Sequence, residues 1–230
     1  MTEDSTSSIA SLPILLPTSG DIPGVYTARQ KRSVRIRDAY VSAGVELLNT
    51  TRFKDLKVAD LATHAGCSVG SFYTRFRNKE GFFLALRSAA VNSFTVIINE
   101  RVAPDRLATL STGDSLDEMV DLMGDLFTAP WRGVLRESLL RILEPDDPWA
   151  PMRAAAQSII EAYHNALASR PELFGPEETR TRLRFCFQLI VGALQNELVN
   201  DYHVFSTRDE SLRDGLKEAV RRYMRVGPKR

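Results

Sequence analysis

The residue types able to do chemistry unaided lie far apart in this chain. Its three histidines, His64, His164 and His203, and its two cysteines, Cys67 and Cys186, are separated by long stretches. A structural zinc site uses paired ligands at short spacing, and a disulfide scaffold needs a dense set of cysteines; the sequence has neither. A nucleophile, base or metal set would have to converge, and no recognisable spacing suggests one. The expectation is a protein with no metal, no cofactor and no enzymatic activity. Two isolated thiols fit a reducing compartment. Cys67 reads as a packed thiol ahead of a redox sensor, and His164 and His203 as satisfied surface or core residues.

Charge is more informative. The chain has a net charge of +1 over 230 residues, yet residues 29–79 hold eleven Lys and Arg against four Asp and Glu. The segments on either side are each slightly acidic. A positive block suits a polyanionic partner, although a solvated helix face carries charge as well. Arg29, Lys31, Arg32, Arg35 and Arg37 are open to both readings. The longest unbroken apolar run, about Leu189 to Leu194, is far shorter than the roughly 20 residues of a spanning helix. The run from Ile9 to Pro17 is interrupted by prolines and follows Glu3 and Asp4, where a signal peptide carries basic residues. A cytoplasmic protein with no membrane partner is expected.

The elements that must position any site are helices. Residues 1–28 are rich in Ser, Thr, Pro and Gly without a sustained period, and read as a flexible extension. Ile36, Tyr40, Ala43 and Leu47 repeat at helical spacing, as do Val58, Leu61, Ala62 and Ala65. Gly66 suits a helix stop, Ser68 an N-cap for a short helix to about Phe76, and Asn78 a cap for a helix striped with Phe83, Leu86, Ala90, Phe94 and Ile97. Ser115 with Glu118, and Thr207 with Glu210, match capping boxes. Pro130, Pro148 and Pro176 sit where first-turn prolines belong, opening helices of about 130–143, 148–169 and 176–203. No stretch alternates as a strand, so the fold class is all-α, with about nine helices.

The stretch from Val58 to Leu84 carries the functional reading. Two short helices joined by a tight turn at Ala65-Gly66-Cys67-Ser68 form a helix-turn-helix, whose second helix fits the DNA major groove. Phe72 and Phe76 anchor that helix, leaving Val69, Ser71, Tyr73 and Thr74 outward.

Ala65-Gly66-Cys67-Ser68-Val69-Gly70-Ser71-Phe72-Tyr73-Thr74-Arg75-Phe76-Arg77-Asn78-Lys79-Glu80 resembles the signature of the TetR family of regulators, and the likeness directly covers about residues 31–86. The resemblance implies that Ser68, Val69, Gly70, Ser71, Tyr73 and Thr74 form the recognition helix or its cap. It also implies that Tyr73 and Lys79 meet phosphates. Arg75 replaces a histidine, adding a charge within reach of a phosphate. Lys57 replaces a capping threonine, trading that cap for a possible phosphate contact, and Arg52 aligns with a frequent glycine. The implied partners are a double-stranded DNA operator, a small-molecule effector and a second copy of the chain.

The expected layout is therefore an extension over 1–28, a three-helix DNA-binding domain over 29–79, and an effector-binding and dimerisation domain over 80–230. Met119, Met123, Phe127, Trp131, Tyr163 and Phe187 are candidates for an effector cavity, though most such residues are simply core. Leu183, Phe187, Ile190, Leu194 and Leu198 form one apolar stripe, and Leu212, Leu216, Ala219 and Tyr223 a second. The two stripes are candidates for a four-helix bundle between subunits, or for packing within one. The expected function is a repressor released from a palindromic operator by a small apolar or aromatic effector. A helical enzyme lacks a convergent catalytic set, and an adaptor that merely dimerises leaves the basic block unexplained.

Overall fold

A computed structural model describes residues 22–26, 31–128, 130–141, 150–200, 204–207 and 210–227. Within them the chain forms ten helices: α1 (Lys31–Thr50), α2 (Val58–His64), α3 (Val69–Tyr73), α4 (Lys79–Arg101), α5 (Pro104–Thr109), α6 (Thr112–Leu126), α7 (Arg132–Leu139), α8 (Ala150–Leu167), α9 (Pro176–Asn200) and α10 (Ser211–Tyr223). The all-α class is as expected. One helix had no counterpart in the sequence reading: α5, opened by Pro104 in its first turn. Arg29, Pro148, Trp149, His203 and most of residues 1–28 lie outside the described residues.

Several helix ends obey their local chemistry. Past α2, the Cys67 amide donates to Ala62 O at 2.8 Å and the Gly66 amide to Thr63 O at 3.2 Å, with Gly66 at φ 62°. This is the paired bonding of a Schellman stop, which needs the left-handed conformation glycine adopts without penalty. Ser68 caps α3 by accepting from the Ser71 amide, and Asn78 caps α4 by accepting from the Gly81 amide at 2.9 Å. Two capping boxes need correction. The start of α6 falls four residues early, because Ser111 and Asp114 close the reciprocal pair. Glu118 turns instead to Arg101 at 2.5 Å. At α10, Thr207 is buried with its hydroxyl toward Glu197, and the helix opens after Glu210, which sits at φ 62° without capping. Pro130 lies two residues ahead of α7 rather than inside it.

The chain forms two compact units. The first takes residues through Phe94 together with Ala129–Ile142, so it contains α1 to α3, most of α4, and α7. Its centre is an aromatic cluster in which Tyr40, Phe72, Phe76 and Phe82 meet edge to face at 5.0–6.2 Å between ring centres. Gly44 is small because a Cβ there would lie 2.5 Å from the Phe82 ring. The C-terminal end of α1 leaves carbonyls that its own helix cannot satisfy. Arg136 of α7 donates to one of them, Leu48 O at 2.8 Å, and to Thr51 O just past the helix at 3.2 Å. Asn49 bridges the same junction, accepting from the Gly133 amide and donating to Pro130 O. Buried Glu137 receives Arg52 at 2.6 Å.

The second unit holds Thr95–Thr128 and the chain from Leu143 onward. Here α6 and α10 run antiparallel with charges every fourth residue on each. Asp117 pairs with Arg221 at 2.6 Å, Asp121 with Lys217 at 2.7 Å, and Asp125 with Arg213 at 2.7 Å. Gly124 leaves room for the Arg213 guanidinium, 2.7 Å from where a Cβ would stand. By length and composition α4 is apolar enough to cross a bilayer, which a search for one unbroken apolar run misses. Buried residues make up 61% of its most apolar window, including the expected stripe of Phe83, Leu86, Ala90, Phe94 and Ile97.

Candidate nucleic-acid interface

α2, the Gly66 turn and α3 set a short helix on the surface of the first unit, held by one fully buried side chain. Phe72 is 0% exposed, while Val69 and Tyr73, three before and one after, are 43% and 52% exposed. Gly70 and Thr74 are exposed as well. A five-residue helix cannot persist alone, so its orientation depends on these anchors. Tyr40 of α1 supplies the second anchor: its hydroxyl donates to Ser68 O at 2.7 Å and lies 3.0 Å from Ser71 Oγ. Burial raises the Tyr40 pKa, so the phenol stays protonated and remains a donor.

Ser71 needs correction. It was expected to point outward, but it is half-buried, and its hydroxyl donates back to Ser68 O at 2.7 Å. Thr74 remains exposed and donates to Ser71 O, while Arg75 folds over it, reaching Thr74 Oγ1 at 3.2 Å and Ser33 O at 3.3 Å. Lys57 is exposed at the start of α2 and gives no side-chain cap, as the loss of threonine there implies. Lys79 is half-buried. Its ammonium donates to Phe53 O at 3.0 Å and rides over the Phe53 ring at 4.9 Å. Beside it Glu80 pairs with Arg141 at 2.6 Å, which holds the Glu80 carboxyl below the usual carboxylate range. Tyr40, which periodicity shows only as part of a helix stripe, is thus an anchor of α3. Its 28-residue separation from Ser68 gave no local signal.

The second unit carries a partly open cavity of about 430 Å³. Met123, Phe127 and Phe187 line it, together with Ile98, Met152 and Ile159, which the sequence reading did not single out. Gln188, Gln195 and Arg153 add polar points. The other three candidates lie elsewhere. Met119 and Tyr163 are fully buried in the same unit, and Trp131 belongs to the first unit, against Phe94. The proposed intersubunit stripe is also corrected. Leu183, Phe187, Ile190, Leu194, Leu198 and Leu216 are at most 7% exposed within their own chain, and Leu212 is half-buried. The large apolar residues α9 and α10 leave outward are Phe185, Leu189, Val199 and Tyr223, and Ala219 of the second stripe is exposed as well.

This geometry is that of a helix-turn-helix, and comparison with known proteins shows what it is similar to. Residues 41–86 match the bacterial regulatory proteins of the tetR family. No curated protein matches the chain in sequence. Among solved structures, a TetR transcription regulator from Haloarcula marismortui is similar at TM-score 0.60 and 15% identity, covering 84% of this chain and 97% of that one. A TetR-family transcriptional regulator from Mesorhizobium loti is similar at TM-score 0.58 and 15% identity, covering 85% and 98%. NalD of Pseudomonas aeruginosa, the secondary repressor of the MexAB-OprM multidrug efflux pump, is similar at TM-score 0.55 and 23% identity, covering 84% and 97%. Residues 41–86 are thus a tetR-family N-terminal domain, and the chain has the fold of TetR-family transcriptional regulators.

Proposed function

We propose that the protein is a DNA-binding transcriptional regulator that represses from a near-palindromic operator and is released by a small apolar or aromatic effector. The carrying observation is α3 itself. It is a short helix fixed from beneath by Phe72 and Tyr40, and it offers Val69, Gly70, Tyr73 and Thr74 to solvent inside the basic block. Small groups flanking one aromatic suit close approach to base edges beside a backbone contact. Lys57, Arg75 and Lys79 surround them as phosphate partners, and half-buried Ser71 with exposed Ser68 holds the helix start. A repressor role is favoured by the likeness in fold to NalD, itself a repressor.

The effector reading rests on the apolar cavity, with Met123, Phe127 and Phe187 as contacts. The dimer reading rests on the outward face of α9 and α10, where Phe185 stacks on Tyr223 at 4.9 Å between ring centres. Two such faces across a two-fold axis make a bundle, and a two-fold protein reads a two-fold site. Selection of duplexes from random DNA at defined salt, with and without apolar ligands, tests the whole scheme. Recovery of inverted repeats supports it, and recovery of no sequence preference overturns it. Sedimentation showing a monomer at micromolar concentration overturns the dimer.

A further inference from the structure

The tail preceding α1 contains Ile22-Pro23-Gly24-Val25, and it folds as that sequence dictates. Proline presets the first central position of a type II turn, and glycine supplies the positive φ of the second. Gly24 sits at φ 78°, and the Val25 amide donates to Ile22 O at 3.0 Å. The turn is not loose. Val25 pairs antiparallel with Phe76: the Tyr26 amide donates to Arg75 O and the Arg77 amide to Gly24 O, both at 2.8 Å. Gly81 at the start of α4 accommodates this strap closely. A Cβ there would stand 2.5 Å from Gly24 O. A Pro-Gly dipeptide inside a supposedly flexible extension was the available signal.

The pairing fixes which side chains share a face. Phe76 is fully buried, so Val25 opposite it turns toward the same core. Tyr26 then lies across from Arg75, and Gly24 across from Arg77, on the outer side. Tyr26 is 50% exposed, as open as Tyr73 on α3. Arg75 lies against Thr74, the residue that ends α3. The strap therefore continues the outer surface of α3 and adds a second tyrosine opposite Arg75, with Arg77 two positions further along the same face.

We infer that the Ile22–Tyr26 strap is a second DNA-backbone element, with the Tyr26 hydroxyl donating to a phosphodiester oxygen beside Arg75 and Arg77. Neutral donors and guanidinium groups are both common phosphate partners, and such contacts fix register without reading sequence. This rests on the DNA-binding reading above. Gly81 serves the strap by leaving space for it.

The test uses the full-length chain, a duplex recovered by random-sequence selection, and a scrambled duplex of equal length. Tyr26→Phe removes one hydroxyl from a half-exposed side chain. Gly81→Ala alters no side chain facing outward but sets a methyl group on the Gly24 carbonyl and displaces the strap. Each variant is expected to bind both duplexes about tenfold more weakly, the loss of one hydrogen bond to a charged group. Hydroxyl-radical footprints should lose protection at backbone positions flanking each half-site. Wild-type affinity and footprint in Tyr26→Phe, with the wild type binding normally, overturn the strap's role alone. A wild-type chain that selects no DNA overturns the DNA-binding reading instead. Should Gly81→Ala also lower the melting temperature, Tyr26→Phe decides.

Discussion

The Tyr40 phenol donates to the Ser68 carbonyl at 2.7 Å, joining α1 to the residue that caps α3. Tyr40→Phe keeps the ring against Phe72 and removes one of three donors on the Ser68 carbonyl, which retains the Ser71 amide and hydroxyl. The expected cost is about 1 kcal/mol of unfolding free energy in urea, the net worth of one hydrogen bond. Operator affinity should fall in the same variant, because α3 loses one of its two anchors. Unchanged stability would show the bond to be replaceable by water.

Gly70 tests how closely DNA approaches. In the free protein a Cβ at this position meets only Ser68 Oγ, at 4.0 Å. Gly70→Ala should therefore fold normally, and should even gain helix stability of up to about 1 kcal/mol. Its operator affinity should nonetheless drop steeply, since a methyl group would stand between the α3 backbone and base edges. A variant with both normal melting and normal binding would remove Gly70 from the interface.

Lys79 has two duties to separate. Its ammonium already holds Phe53 O, so Lys79→Ala should lower stability by about 1 kcal/mol. As a phosphate partner it should also reduce the log–log salt slope by about 0.9 and weaken all sequences alike. A stability loss with an unchanged salt slope would leave it a purely structural residue. Val69 and Thr74 substitutions should instead change the selected sequence, at about 1–3 kcal/mol per mismatched base pair.

What the sequence made legible was local. Gly66, Ser68, Asn78 and Pro176 each act within one turn, and the structure places each as its chemistry demands. The α9 stripe was legible as apolar but not as to its partner, because periodicity shows a buried face and not which chain covers it. That is why Leu183 and Ile190 proved internal while Phe185 and Leu189 face out. The acid-base ladder between Asp117 and Arg221 spans 104 positions, and the cavity draws on four helices; no window contains either. Trp131 was grouped with the cavity by residue type alone, and chain topology puts it in the other unit.

The two thiols should differ in reactivity. Cys186 is fully buried, and burial pushes its thiol up to about 12, whereas Cys67 is half-exposed in the turn before α3. Below that value Cys186 stays protonated and unreactive at any pH up to about 9. Ellman titration at pH 8 should count one thiol in the native chain and two in denaturant. Two rapid equivalents in the native state would contradict the burial of α9.

The docking of α7 on α1 shapes how the molecule is made. Gly133 and Asn49, joined by one hydrogen bond, are 84 positions apart. During synthesis α1 emerges early, yet the partner for its last carbonyls is still untranslated. The first unit therefore closes only after the ribosome has released α7, and contacts of such separation form slowly. An N-terminal fragment ending within α4 would carry α1, α2 and α3 but would leave the Leu48 and Thr51 carbonyls to water in place of Arg136. Isolating α1 to α3 as a stable piece would take a grafted α7 on a short linker, not a truncation.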